Sequence, residues 1–435
     1  MAARPRIGLA LAGGGPLGAI YEIGALCALD ESVLGLDLNE LTAYVGVSAG
    51  GFIAAGLANG MRPRELYDSF IENTGPADDV ISPALFARPA WGELAGRLRR
   101  LPALVLQAAA DFAFGGGRWL PAVERLGRGL PTGLFSNGPL EAQMRRVLSA
   151  PGRSNDFRQL RRKLVLVATD LDSGQSLPFG QPGLDHVPIS QAIAASAALP
   201  GLFPPVTIDG RSCVDGALKK TLHARVLLDL GLDLVLCLNP LVPFDASRGR
   251  HRIGDRDRIP RLVDGGLPVV LSQTFRTLIH SRLELGLLGY RSSHPDTDIV
   301  LFEPDQRDPE MFLANTFAYG QRRALAEHAY QQTRADLRAR RGRLRATLAR
   351  HGLRLDDAAL DERRHLGSRL GRHLGAIGAH SGPALQTLKR LDEVLTDLEQ
   401  ALPRFDQRAA AAAAGAAAAA GAAAAPSSSR RYSAT

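Results

Sequence analysis

The sequence is poor in cysteine: Cys27, Cys213 and Cys237 are the only three among 435 residues. Their number is odd, and none stands in a C-x-x-C pair or at ligand spacing from a histidine. That argues against a disulfide framework and a structural zinc, and for a reducing compartment. Long unbroken apolar runs are also missing. The uncharged stretch 187–208 is long enough to span a bilayer, but Pro188, Pro200, Pro204 and Pro205 interrupt it, so no transmembrane helix is expected there. The N-terminal "MAARPRIGLALAGGG" has the outline of a secretory leader, yet glycine and proline break its apolar run and a motif sits inside it. A cytoplasmic protein, soluble or peripheral to the inner membrane surface, is the expectation. Aromatic residues make up 6% of the chain, and the arginine-rich window 320–351 has Tyr330 alone, so no nucleic-acid partner is expected.

Apolar residues, by contrast, make up 45% of the chain and charged residues 22%, enough for a packed core. The net charge of +8 favours anionic surfaces without choosing among them. "RIGLALAG" (6–13) reads as a buried strand and "LGAIYEIGALCALDE" as the helix after it. "TAYVGVSAG" repeats the pattern, with a helix "GGFIAAGLAN" ending near Gly60. Further buried strands are expected at 163–174, 232–240 and 297–304, with helices at "ISQAIAASAAL" and "LHARVLLDLG" between them. Strands alternating with helices predict an α/β fold with a mainly parallel central sheet covered on both faces.

Three segments depart from that alternation. Residues 84–135 mix Trp91, Phe112, Phe114 and Trp119 with arginines and read as inserted helices that cap the body or touch a membrane interface. Residues 306–408 read as a helical basic region. Nine arginines fall between 320 and 351 against two acids, Glu327 and Asp336, which suits either a solvated face or an anionic surface. Residues 409–435 begin as an alanine run and read as a low-complexity tail outside the fold.

Two glycine-rich turns carry the chemistry. "GVSAG" (46–50) puts Ser48 between small residues, after a strand and before a helix. This context pushes a serine side chain into the open on a tight elbow, with Gly46 and Gly50 letting the backbone fold back. A serine hydroxyl attacks only if a base takes its proton and N–H groups receive the oxyanion. "GGGPLG" (13–18) exposes backbone N–H groups at a positive helix end, which suits either an oxyanion or a phosphate. A dinucleotide site would use Gly13, Gly15 and Gly18 with an acid such as Asp37 or Glu40 further on, but no clean strand precedes those acids. A Walker lysine is absent. A Ser-His-Asp esterase would draw on His223, His251 or His280.

The chain resembles the patatin-like phospholipases. The resemblance rests on "GGGPLG", on "GVSAG", on "AASAALPGLFPP" (194–205) and on "VDGAL" (214–218), in that order, and covers residues 6–305. It implies a three-layer patatin-like catalytic domain over 1–305. The activity implied is hydrolysis of a phospholipid or another acyl-ester lipid, with no metal or cofactor. Carried over by motif, Ser48 is the nucleophile and Asp215 its base. Gly13, Gly14 and Gly15 supply the oxyanion hole, while Gly18 and Gly216 support the two loops. A buried carboxylate is basic enough to take a serine proton directly. The chain departs from the family pattern at Leu17, where a basic residue is common, and at Thr221 and His223, where Asn-x-Pro is common. Lys219 and Lys220 suit either lipid phosphates or solvent.

Overall fold

The strand expected at 6–13 forms β1 (Ile7–Leu11) in the middle of the main sheet of the computed structural model. The structure describes residues 5–76, 79–80, 88–114, 127, 129–249, 261–313 and 321–367. The other main-sheet strands are β3 (Ala43–Gly46), β4 (Lys163–Asp170), β5 (Ser176–Phe179), β6 (Val206–Ile208), β7 (Arg211–Asp215), β8 (Leu234–Leu238) and β9 (Asp298–Phe302). β1 pairs in parallel with β3 and β8, β3 with β4, and β8 with β9. β5, β6 and β7 are antiparallel. Sequence patterning marks none of these three, since strands of three to five residues cut by turns such as Asp209-Gly210 carry little periodicity. A separate two-stranded sheet joins β2 (Val33–Leu34) to β10 (Arg354–Leu355).

Alternation along the strands sorts side chains by size. Leu9, Leu11, Leu164, Leu166, Leu234, Leu236 and Leu238 fill one core cluster. Ala10, Val165, Val167, Val235 and Cys237 fill the other. Strand side chains point alternately to opposite faces, so each cluster covers one face of the sheet. The main helices, in chain order, are α1 (Gly15–Ser32), α2 (Ala49–Ala58), α3 (Pro63–Tyr67), α4 (Trp91–Phe114), α5 (Gly138–Leu148), α6 (Ile189–Ser196), α7 (Arg225–Leu228), α8 (Gly266–Ser293), α9 (Arg322–Ala339), α10 (Arg341–Arg350) and α11 (Asp357–Asp361). α1, α2, α5, α6 and α9 lie on the leucine face, and α7 with the inner side of α8 on the valine face. This is the three-layer α/β arrangement. α7 is shorter than the helix expected at 222–231. His223 (φ 46°) and Gly231 (φ 67°) leave the helical region on either side of it.

A compact unit runs from the start of the chain to Gly367, so the boundary expected at 305 falls inside it. The reason is local. Gly24 of α1 has no side chain, and a Cβ there would lie 2.5 Å from the Ala326 carbonyl and 2.9 Å from the Ala329 Cβ. α9 rests directly on that bare surface. The expected tail at 409–435, residues 368–408, and Trp119 in the 84–135 segment lie outside the described residues.

Candidate active site

β4 is the longest strand of the sheet, and its length creates the site. Lys163–Leu166 pair with β3, while Ala168–Asp170 pair with β7. β5 takes Leu166–Thr169, overlapping both, so it occupies the opposite edge. β3 and β7 therefore share one edge of β4 and arrive from opposite directions. Gly46 stands opposite Leu166 and Asp215 opposite Ala168. Ser48, two residues past Gly46, thus comes level with Asp215.

At that junction Ser48 holds φ 52° and ψ −122° at the start of α2, in a region that non-glycine residues rarely adopt. Three bonds brace the turn. The Ser48 N–H donates to Ser196 Oγ at 2.8 Å, and that hydroxyl donates to the Val167 carbonyl at 2.7 Å. The Gly50 N–H donates to the Ala12 carbonyl at 3.2 Å. A Cβ on Gly50 would sit 2.5 Å from that same oxygen, so the turn cannot close with a larger residue there. Ser196 went unassigned in the sequence, although it is the serine of "AASAALPGLFPP" and that segment was its only signal.

Asp215 is 3% exposed and Ser48 7%. The Asp215 carboxylate accepts the Ala217 N–H through Oδ1 at 2.8 Å. Burial pushes the carboxyl up to about 6, and the Ala217 N–H and the neighbouring Ser48 hydroxyl restrain the rise. Gly216 is needed beside it, since a Cβ there would meet the Val167 carbonyl at 2.2 Å. The glycine loop comes in from the end of β1, and an ideal Cβ on Gly13 would lie 3.1 Å from the Ser48 Cβ. Gly15 has φ 60°. The N–H groups of Gly13, Gly14 and Gly15 bond no acceptor among the described residues. The Gly18 N–H closes the loop onto the Gly14 carbonyl at 3.0 Å. The loop thus presents bare donors beside a serine that stands level with a buried carboxylate.

The other candidates sit elsewhere. His223 turns its Nε2 to the Gly216 carbonyl at 3.3 Å, and burial pushes it down to about 4, which keeps the ring neutral. His280 meets Gln306 at 3.0 Å, and His251 lies outside the described residues. Asp37 and Glu40 precede β3, at the end of the sheet opposite the glycine loop, so no ribose acid faces Gly13–Gly18. Lys219 Nζ donates to the Gly174 carbonyl at 2.6 Å, while Lys220 is exposed. The arginines of 320–351 are largely spent within the fold. Arg323 pairs with Glu72 at 2.7 Å, Arg341 with Asp361 at 2.5 Å, Arg350 with Asp298 at 2.7 Å, Arg345 with Asp357 and Arg340 with Asp336. The excess of positive charge along that stretch of sequence is met mostly by acids from other segments, namely Glu72, Asp298, Asp357 and Asp361. Among the described residues, no cluster of histidine, cysteine, aspartate and glutamate could hold a metal ion.

The sequence profile of the patatin-like phospholipases matches residues 9–228, which hold the glycine loop, the Ser48 elbow and Asp215. The chain belongs to the patatin-like phospholipase family. This patatin-like chain is also similar to solved structures, at low identity. VipD from Legionella pneumophila is 17% identical over 78% of this chain and 67% of its own, with a TM-score of 0.35. The type III effector ExoU is 17% identical over 78% of this chain and 53% of its own, with a TM-score of 0.30. The Pseudomonas aeruginosa complex of SpcU with ExoU gives 18% identity over the same shares, with a TM-score of 0.28. This patatin-like chain spans about half the length of ExoU.

Proposed function

We propose that the protein is a serine acyl hydrolase of lipid esters that works through a Ser48–Asp215 dyad. Ser48 Oγ attacks the ester carbonyl while its proton passes to Asp215. The N–H groups of Gly13, Gly14 and Gly15 take the negative charge that develops on the carbonyl oxygen. The alcohol leaves, with the proton returned by Asp215, and an acyl group remains on Ser48. Asp215 then takes a proton from water as its oxygen attacks the acyl-enzyme; the Ser48–acyl bond breaks, the fatty acid leaves, and Asp215 returns the proton to Ser48 Oγ. Every step uses side chains and backbone of this chain, and none calls for a metal.

The observation that carries this reading is the strand register that brings Ser48 level with Asp215, a buried carboxylate whose proton affinity is raised to about 6. A carboxylate at its ordinary value would be a weak base for a serine, while burial makes it a stronger one. Family membership supports a lipid ester as substrate. We infer transient membrane contact as well, since the substrate sits in bilayers. Among the described residues no helix is long and apolar enough to cross one.

The test is labelling with a fluorophosphonate probe, followed by a hydrolysis panel of phospholipids, lysophospholipids and neutral lipids. Wild-type protein should label and release fatty acid from at least one class, and Ser48→Ala should do neither. Labelling that persists in Ser48→Ala would place the nucleophile elsewhere.

A further inference from the structure

α8 has two apolar sides, and the described residues cover only one. Its inner side rests on the valine face of the sheet through Leu283, Leu287 and Tyr290. Its outer side carries Leu267, Leu271, Phe275, Leu278, Leu285 and Leu288, which are between 44% and 69% exposed. Steps of three, four and seven residues keep all six on one side of the helix, along about 32 Å of its length. Isolated exposed leucines are ordinary on a protein surface, but a continuous stripe marks a contact surface.

The position of the helix gives the stripe its meaning. Arg276 donates to the Val242 carbonyl at 3.2 Å and lines a cleft with Gly14, Gly18, Phe244 and Phe312. Arg282 donates to the carbonyl of Leu218, three residues past Asp215, at 3.1 Å. α8 therefore bridges the glycine loop and the aspartate loop, the two sides of the proposed site. Its charge is one-sided as well. Arg276, Arg282 and Arg291 stand against a single acid, Glu284, and the exposed Lys220 follows the Leu218 contact.

We propose that the outer side of α8 is the docking surface for an anionic lipid membrane. The leucines and Phe275 enter the acyl boundary, and the exposed Arg282, Arg291 and Lys220 meet lipid phosphates. This differs from the two segments that composition singles out. The 320–351 arginines are mostly committed to acids of the fold, whereas α8 keeps its apolar stripe in solvent beside the site. A second copy of the chain fits the surface less well, because two helices of the same positive charge repel.

The proposal rests on the lipid-ester reading above, yet its test needs no turnover. The triple variant Leu271→Ser, Phe275→Ser, Leu278→Ser in the full chain should lose about tenfold or more of its co-sedimentation with phosphatidylglycerol-containing vesicles. Leu34→Ser, an exposed leucine on the separate two-stranded sheet, should keep wild-type partition. In a second measurement Phe275→Cys carries a polarity-sensitive fluorophore, which is selective because the three native cysteines are buried. Its emission should shift to the blue on adding the same vesicles. Unchanged partition of the triple variant, or no shift from the label, overturns the proposal. So does a wild-type dimer that the triple variant converts to monomer without either protein binding vesicles. If vesicles bind through α8 but no lipid is cleaved, the docking surface stands and the hydrolase reading falls.

Discussion

At the scale of single residues, two buried carboxyls set how the protein responds to pH. Burial holds Asp215 at about 6, above its usual 3.8. In the proposed mechanism the ionised form is the base, so hydrolysis should rise as pH climbs through about 6 and be lost below it. The same shift costs stability. A carboxyl that binds its proton more tightly folded than unfolded destabilises the fold increasingly as pH rises above 3.8, with the full cost reached above about 6. Asp215→Asn should therefore abolish turnover, by about a thousandfold or more. It should also raise the melting temperature at neutral pH, by a contribution of up to about 3 kcal/mol, with the gain vanishing in acid. Thermal melts across pH beside an activity profile check both, and an activity profile that stays flat through 6 would remove Asp215 as the base.

Glu22 is the second such carboxyl. It is fully buried in α1, and burial pushes it well above its usual 4.5. Burial therefore favours its neutral form in the fold. Stability should fall as pH rises from 4.5, by up to about 1.4 kcal/mol per unit, until the folded carboxyl itself ionises. Glu22→Gln, which keeps the shape and cannot ionise, should flatten that slope. Urea melts from mildly acid to neutral pH read it directly, and parallel slopes in the two proteins would contradict a neutral Glu22.

At the scale of elements, the site and the α1–α9 contact both depend on glycine-sized gaps. α9 lies so close to α1 that a methyl on Gly24 would strike its backbone at Ala326 and Tyr330. Gly24→Ala should destabilise by about 1–3 kcal/mol, although alanine is the better helix former. A denaturation midpoint at or above wild type would show that the two helices can separate without loss. The helix, its elbow and the glycine loop were legible in the sequence, because small residues at fixed spacing dictate a tight backbone. The antiparallel strands that carry Asp215 were not. Their pairing partner lies some forty residues back in β4, and no local pattern records it.

At the scale of the molecule, the C-terminal helices are part of the body. Arg334 of α9 is 1% exposed and has no acidic partner among the described residues. Its guanidinium instead donates to the carbonyls of Ala359 at 2.7 Å, Leu360 at 3.1 Å and Glu362 at 2.6 Å, where α11 ends. A cation at a helix C-terminus meets both its free carbonyls and its dipole. Truncation after residue 321 should uncover the α1 surface that Ala326, Ala329 and Tyr330 bury, and yield insoluble or unfolded protein. A truncated chain that melts cooperatively near wild type would refute this.

What the sequence determined by itself is local. Gly46, Gly50 and Gly13–Gly15 force two tight turns, because only residues without bulk allow such close backbone approach. What only the tertiary structure decided is long-range. The end-to-end meeting of β3 and β7 on one edge of β4 brings Ser48 to Asp215, 167 positions away. Acids from distant segments neutralise the arginine run, and burial sets the charge state of Glu22 and Asp215. Backbone sterics act between neighbours in the chain, whereas pairing, charge and desolvation depend on neighbours in space.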